Sequence, residues 1–197
     1  MKPLFVVLDG IDGSGTSTHS KILNGFLEEM GLKTHLTHEP SSSEIGVLLR
    51  KFLRDETIPP STDALMFAAD RSLHYHGEII KKLNEGYVVI SDRYIESSII
   101  YQSLSSDEIS IDWVKEINKF VGKPDITIIL DIDPRISLKR KTDQDFEKFE
   151  ETEFLDKVRD LYLSRAKEEG YVVIDSDDII ELVQEKVQNV VLKILKQ

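Results

Sequence analysis

Leu4-Phe5-Val6-Val7-Leu8-Asp9-Gly10-Ile11-Asp12-Gly13-Ser14-Gly15-Thr16-Ser17 is the stretch that decides the fold. Leu4 to Leu8 make a compact apolar run of the kind that fits a strand buried on both faces of a parallel sheet. The run ends at Asp9-Gly10, and the residues from Gly10 to Ser17 have the spacing G-x-x-x-x-G-K-[ST]. Beyond them Ile22, Leu23, Phe26, Leu27 and Met30 recur at helical spacing, with Gly31 where a helix C-cap falls. In a strand, glycine-rich turn and helix of this kind, successive backbone N–H groups converge on phosphate oxygens and the helix N-terminus adds its positive end. Gly10, Ile11, Asp12, Gly13, Ser14, Gly15, Thr16, Ser17 and Thr18 are therefore candidate ATP-binding residues, and the Ser17 hydroxyl is a candidate Mg²⁺ ligand. Thr16 occupies the lysine position of the pattern, which removes the charge that ordinarily bridges the β and γ phosphates. Taken alone, the loop also fits a tight strand-to-helix turn that binds nothing.

The same alternation continues outward. Lys33 to Thr37 reads as a second strand, Glu44 to Leu53 as a helix before the Pro59-Pro60 break, and Ser61 to Leu83 as one long helix. Tyr87 to Ser91, Asp125 to Ile132 and Tyr171 to Ile174 read as three further strands. Ile180, Val183, Val187, Val190, Val191 and Ile194 share one face of a terminal helix. The expectation is one α/β domain spanning 1–197, a three-layer sandwich with a five-stranded parallel sheet and helices on both faces. Ligands then belong in the crevice at the carboxyl ends of the strands.

Composition narrows the partners. A chain of 197 residues has room for one sizeable core. Its formal net charge of -11 disfavours nucleic acid and anionic membranes, so a bound nucleotide needs locally clustered positive charge. The absence of cysteine removes disulfides and Cys-based metal sites, and the cytosol is the favoured compartment. No basic leader precedes the first strand, and no apolar run approaches the length of a membrane span.

Asp92-Arg93-Tyr94 directly follows the third strand, which brings the aspartate to the sheet edge beside the glycine loop and turns the arginine to the crevice. An Asp there suits Mg²⁺ and its water shell, and an Arg suits a bidentate grip on phosphate. An isolated surface ion pair is the alternative reading. Tyr94, Ser97, Ser98 and Tyr101 recur at helical spacing and would offer hydroxyls and an aromatic ring to the same crevice, unless the helix is merely half-buried. Phe67 and Arg71 stand four apart on the long helix and share a face, where a ring and a guanidinium suit a base, or core and solvent.

Assembled in order, these segments resemble the thymidylate kinase family over most of the chain. The likeness rests on the loop from Gly10 to Gly15, His38-Glu39-Pro40, Leu65-Met66-Phe67-Ala68-Ala69-Asp70-Arg71 and Asp92-Arg93-Tyr94-Ile95-Glu96-Ser97 with Tyr101-Gln102. It continues in Lys123-Pro124-Asp125 and Leu130-Asp131-Ile132-Asp133-Pro134. The resemblance implies that Asp12 meets the acceptor's 3′-hydroxyl, that Arg93 holds its phosphate, that Phe67 stacks on thymine and that Arg71 bonds the carbonyl edge. Tyr101 would lie under a deoxyribose, Ser97 and Ser98 would approach the base, and Glu39 and Pro40 would flank the site. It also implies a homodimer.

A charged stretch follows the fourth strand, beginning at Lys139-Arg140-Lys141 and reaching Glu147-Lys148-Phe149-Glu150. By composition it is a solvated helical hairpin; by resemblance it is a mobile lid at about 139–153 over the donor phosphates. Phosphoryl transfer asks a protein mainly for positioning and positive charge. With Thr16 neutral and no arginine at Gly13, that charge is expected from Mg²⁺, held by Ser17 and Asp92, and from Arg93, Arg140 and Lys148. The expected reaction moves the γ-phosphate of ATP to dTMP. A same-fold kinase with another acceptor, such as dUMP or dCMP, and a nucleotide-binding protein without catalysis are the competing readings.

Overall fold

Strand β1, Leu4–Gly10, is buried along its whole length, as its uninterrupted apolar sequence requires. Leu4, Val6 and Leu8 enter a core with Leu23, Leu27, Val183 and Val187, while Phe5 and Val7 enter another with Ile79 and Tyr94 on the opposite face. In the computed structural model, which describes residues 3–140 and 152–196, the elements after β1 run α1 (Thr16–Glu29), β2 (Thr34–His38), α2 (Glu44–Phe52) and α3 (Pro60–His74). A π-helical turn (Tyr75–Ile79), α4 (Ile80–Asn84), β3 (Val88–Asp92), α5 (Ile95–Ser105) and α6 (Ile111–Ile117) follow. The chain closes with β4 (Ile126–Asp131), α7 (Pro134–Arg140), α8 (Thr152–Glu169), β5 (Val172–Asp175) and α9 (Ile180–Leu195).

All strand pairings are parallel, in the order β2-β3-β1-β4-β5. Residues of α1 and α9 cover one face of this five-stranded sheet and residues of α5 and α8 the other, which is the three-layer arrangement expected. Helix α8 is tied to α5 by a buried pair: Arg165 donates to Glu96 through Nε at 3.1 Å and Nη2 at 2.9 Å, and the Tyr171 hydroxyl donates to the same carboxylate at 2.7 Å. The central strand has β3 on one side and β4 on the other. Leu8 is opposite Asp92 and Gly10 opposite Leu130, so the segments leaving β1, β3 and β4 meet at one edge of the sheet.

Two elements differ from the sequence reading. The helix expected over Ser61 to Leu83 is divided at the π turn: α3 stops at His74, whose ring is buried against β2, and Ile79 enters the core beneath the sheet five residues later. The wider turn reconciles these two burial directions, which a regular 3.6-residue period does not. Helix α6 was not anticipated. It is short, and its signal is local: Ser110 caps it by accepting from the Trp113 N–H at 3.1 Å. The expected lid begins on α7, at Lys139 and Arg140, and ends on α8; 141–151, with Lys148, lie outside the described residues.

The ladder depends on side chains such as Ile128, which is fully buried in β4 among Leu8, Leu130 and Val187. Ile128→Ala is expected to lower the unfolding free energy by about 2–5 kcal/mol in a denaturant titration, through lost transfer energy and the cavity left behind.

Candidate active site at the junction of two cavities

The glycine loop is shaped by close approach. Gly13 has φ +79°, and a Cβ built there would stand 2.6 Å from the Ser137 carbonyl oxygen of α7, so no larger residue fits without moving that helix. Gly15, at φ 99°, is the N-cap from which α1 starts, and Thr16 is the first helical residue, nearly enclosed. The Ser17 hydroxyl donates to Asp92 Oδ2 across the gap between α1 and β3. The other oxygen, Asp92 Oδ1, is buried with no hydrogen-bond partner among the described residues.

Arg93 leaves β3 in the left-handed region, φ 69°, which a residue with a Cβ adopts only when its surroundings enforce it. Its N–H donates to the Leu8 carbonyl at 2.8 Å and its carbonyl accepts from the Ser91 hydroxyl at 2.7 Å. The side chain thereby swings back over the loop. There Nη1 donates to the Gly10 carbonyl at 2.7 Å and to Ser97 Oγ at 3.0 Å, and Nη2 donates to Asp12. Beneath it Asp9, with no exposed surface, accepts from the Gly10 N–H at 2.9 Å, the Ser97 hydroxyl at 2.7 Å and the Tyr162 hydroxyl at 2.7 Å. Burial pushes the Asp9 carboxyl above its ordinary pKa against the opposing pull of Arg93 and these donors. Burial also opposes the charge on Arg93, but Asp12, the nearby tyrosines and Asp9 outweigh it, and its pKa lies well above the usual guanidinium value.

Two cavities open on either side of this arginine. One, of about 330 Å³, is lined by Glu39 and Pro40 after β2, by Phe67 and Arg71 of α3, and by Ser97, Ser98 and Tyr101 of α5. Asp12, Arg93 and Arg50 also line it. Arg71 is almost entirely enclosed: Nε donates to Glu39 Oε2 at 2.7 Å, Nη1 to Asn118 Oδ1 at 2.7 Å, and Nη2 to Ser98 Oγ at 2.8 Å. The ring of Tyr101 lies 6.0 Å from the Arg93 guanidinium, and burial raises its phenol pKa, so the hydroxyl stays neutral. The second cavity, of about 670 Å³, is lined by Asp12, Gly13, Gly15, Thr16, Ser17 and Thr18 of the loop, by Arg93 and Arg140, and by residues from Ser176 to Glu181 after β5. Gly10, Ile11 and Ser14 do not line it; Ile11 and Ser14 are buried under the loop, and Gly10 acts through its carbonyl.

One sequence expectation fails locally. Tyr94 offers no hydroxyl to the crevice, because its ring packs edge-on against Phe5 at 5.0 Å and its hydroxyl donates to the Gly122 carbonyl at 3.1 Å. In the sequence Asp9 carries no functional signal, because a carboxylate at the end of an apolar strand reads as a strand terminator. Arg50, which lines the smaller cavity and donates to the Pro40 and Ser41 carbonyls at 2.7 and 2.9 Å, sits in a helix whose polar face looks solvated. Tyr162 lies far along the chain, and only the contact between α5 and α8 brings it to Asp9.

A phosphate cradle and a second, base-sized cavity joined over one arginine define the class: a nucleotide kinase of the phosphate-binding-loop type. The thymidylate kinase profile matches residues 8–187. A protein of Pyrobaculum aerophilum named "Probable thymidylate kinase" is 46% identical over 194 residues, covering 98% of each chain. Proteins of the same name from Pyrobaculum calidifontis and Staphylothermus marinus are 47% and 40% identical, covering 88% and 96% of this chain and 88% and 94% of their own. The chain belongs to the thymidylate kinase family. Among the described residues no helix is long and apolar enough to cross a membrane.

The Asp9 cluster yields a stability test. Asp9→Asn puts an amide where only acceptors fit and leaves the Arg93 charge less compensated, so a loss of about 3 kcal/mol is expected on denaturant unfolding.

Proposed function

We propose that the chain transfers the γ-phosphate of ATP to dTMP, the larger cavity taking the donor and the smaller one the acceptor, and that the reacting phosphates meet at Asp12 and Arg93. The observation that carries this reading is that these two residues line both cavities. An oxygen of the acceptor's phosphate attacks the γ-phosphorus, the bond to the β–γ bridging oxygen breaks, and ADP and dTDP result. The attacking phosphate is already ionised, so no general base is required and positioning dominates.

Arg93 holds the acceptor's phosphate. Its bonds to Gly10 and Ser97 fix the guanidinium, and Asp12, which pairs with it, turns to the sugar 3′-hydroxyl when phosphate takes its place on Arg93. Phe67 stacks on the pyrimidine, Arg71 directs N–H donors to its carbonyl edge, and Tyr101 closes the space beneath the sugar against a 2′-hydroxyl. Ser97 and Ser98 border the base, and Glu39 and Pro40 wall the site. Within the loop from Gly10 to Thr18, the donor phosphates meet Asp12, Gly13 and Gly15 to Thr18, the residues that line the larger cavity.

Ser17 and Asp92 fit Mg²⁺: the Ser17 hydroxyl and the Asp92 carboxylate lie side by side, and Asp92 Oδ1 has no hydrogen-bond partner among the described residues. Among the described residues no three or more His, Cys, Asp or Glu side chains cluster as metal ligands, and Mg²⁺ in kinase sites takes few protein oxygens beside the nucleotide's phosphates. When bound, Mg²⁺ neutralises charge on the donor phosphates. In place of the loop lysine, Arg140 supplies a cation at the donor cavity, where it donates to the Ser176 carbonyl at 3.2 Å. Lys148 is assigned the same duty from the lid at about 139–153. One catalytic domain, a homodimer and a cytoplasmic location complete the proposal.

ADP release measured with ATP and Mg²⁺ across dTMP, dUMP, dCMP, dGMP and AMP is expected to give the highest kcat/KM for dTMP. Preference for another acceptor would reassign the smaller cavity, and ATP binding without turnover on any acceptor would sink the kinase reading. Thr16→Lys is expected to raise kcat by about tenfold or more, by restoring charge at the transferred group; an unchanged or lower kcat would mean that the loop is organised around the threonine.

A further inference from the structure

Behind the smaller cavity lies a histidine that no step above uses. We propose that His74 is a positioning residue for acceptor recognition, its Nδ1–H fixing Glu39 and through it the orientation of the Arg71 guanidinium. The inference rests on the reading of that cavity as the acceptor site.

His74 is the last residue of α3, and its side chain has no exposed surface. Its Nδ1 stands 3.2 Å from Glu39 Oε1 and its Nε2 stands 2.7 Å from Thr37 Oγ1, with Glu78 Oε1 further off at 3.7 Å. A carboxylate paired with Arg71 only accepts, so Nδ1 carries the proton. Glu39 is thus divided between two donors, His74 on Oε1 and Arg71 Nε on Oε2. Arg71 spends its other bonds on Asn118, on Ser98 and, at 3.3 Å, on the Tyr94 carbonyl. Of the five N–H groups a guanidinium carries, the partners among the described residues take four and leave one for a ligand, its direction set by those four. Removing the His74 donor strands Oε1 in a buried site. The nearest remedy is a fork to Arg71, with Glu39 taking a second N–H and turning the guanidinium away from the base. A carbonyl at pyrimidine position 4 accepts from Arg71 and an amino group does not, so discrimination between dTMP and dCMP depends on that orientation.

Two near-isosteres separate the ring nitrogens. His74→Asn places an amide nitrogen close to Nδ1 and keeps the donor to Glu39; His74→Gln places it close to Nε2 and keeps only the Thr37 side. The expected result is that His74→Gln raises KM for dTMP about tenfold, leaves kcat within about twofold and narrows the dTMP-over-dCMP preference, whereas His74→Asn restores wild-type KM. In the ¹⁵N spectrum of the wild-type protein, Nδ1 is expected to be protonated. An unprotonated Nδ1, a KM indifferent to His74→Gln, or equal losses in both variants tracking a lowered Tm would each overturn the assignment. A wild-type enzyme that leaves dTMP untouched would fail the acceptor reading first, a result distinct from one that turns over dTMP regardless of residue 74.

Discussion

The arrangement depends on holding one cation where two cavities meet. Arg93 is kept there by its left-handed backbone, by the Gly10 carbonyl and the Ser97 hydroxyl, and by Asp9 beneath it. Gly10 and Asp9 come from the end of β1 and Ser97 from α5, and Asp9 is itself held by Tyr162 from α8. A guanidinium on a free side chain would have to be ordered with every substrate, at a cost of order 1–2 kcal/mol in rotamer entropy. Here folding has already ordered it. The buried carboxylate that does so lies beneath the guanidinium, while Asp12 pairs with Nη2 on the cavity side, the N–H that phosphate takes over on the proposed reading.

The electrostatics of the rest of the molecule make this placement matter. With a formal charge of -11 the chain does not attract nucleotides through its overall field, so binding relies on short-range donors. The loop contributes backbone N–H groups and the start of α1, which need no side-chain charge. Thr16 therefore weakens a site whose first demand, anchoring phosphate, is met by the main chain. On the proposed reading, what it removes is charge at the transferred group, and Arg93 and Arg140 both line the cavity assigned to the donor.

The fold was legible because its signals are local. An apolar run, a glycine turn and an amphipathic helix recur along the chain, and each strand lies within a residue or two of its expected place. Residues next to strand ends, such as Asp92 and Arg93, could be placed in the crevice by topology alone, and the side chains named for the acceptor do converge on one cavity. Asp9, Tyr162, Asn118 and His74 were hidden for a common reason. Their function is to hold another side chain, their partners lie on other elements, and neither period nor spacing encodes such a contact. The π turn is likewise invisible to pattern, since it arises from the conflict between burying His74 against β2 and Ile79 under the sheet.

The two cavities differ in how completely they are built, and the difference follows from what each must distinguish. The smaller is walled by buried polar groups whose bonds are mostly committed: Arg71, Glu39 and Ser98 together expose almost nothing. A ligand entering it meets fixed donors and acceptors, so a wrong base edge leaves a buried group unpaired, which costs more than a correct bond gains. The larger cavity offers loop amides, Arg140 and the exposed aliphatic chains of Ile179 and Ile180. Contacts of that kind grip phosphate and cover a flat apolar surface without reading its edge in detail. On the proposed assignment of the cavities, selectivity therefore resides on the acceptor side, where the protein has spent its buried hydrogen bonds, and the donor side supplies affinity for polyphosphate with less discrimination among bases.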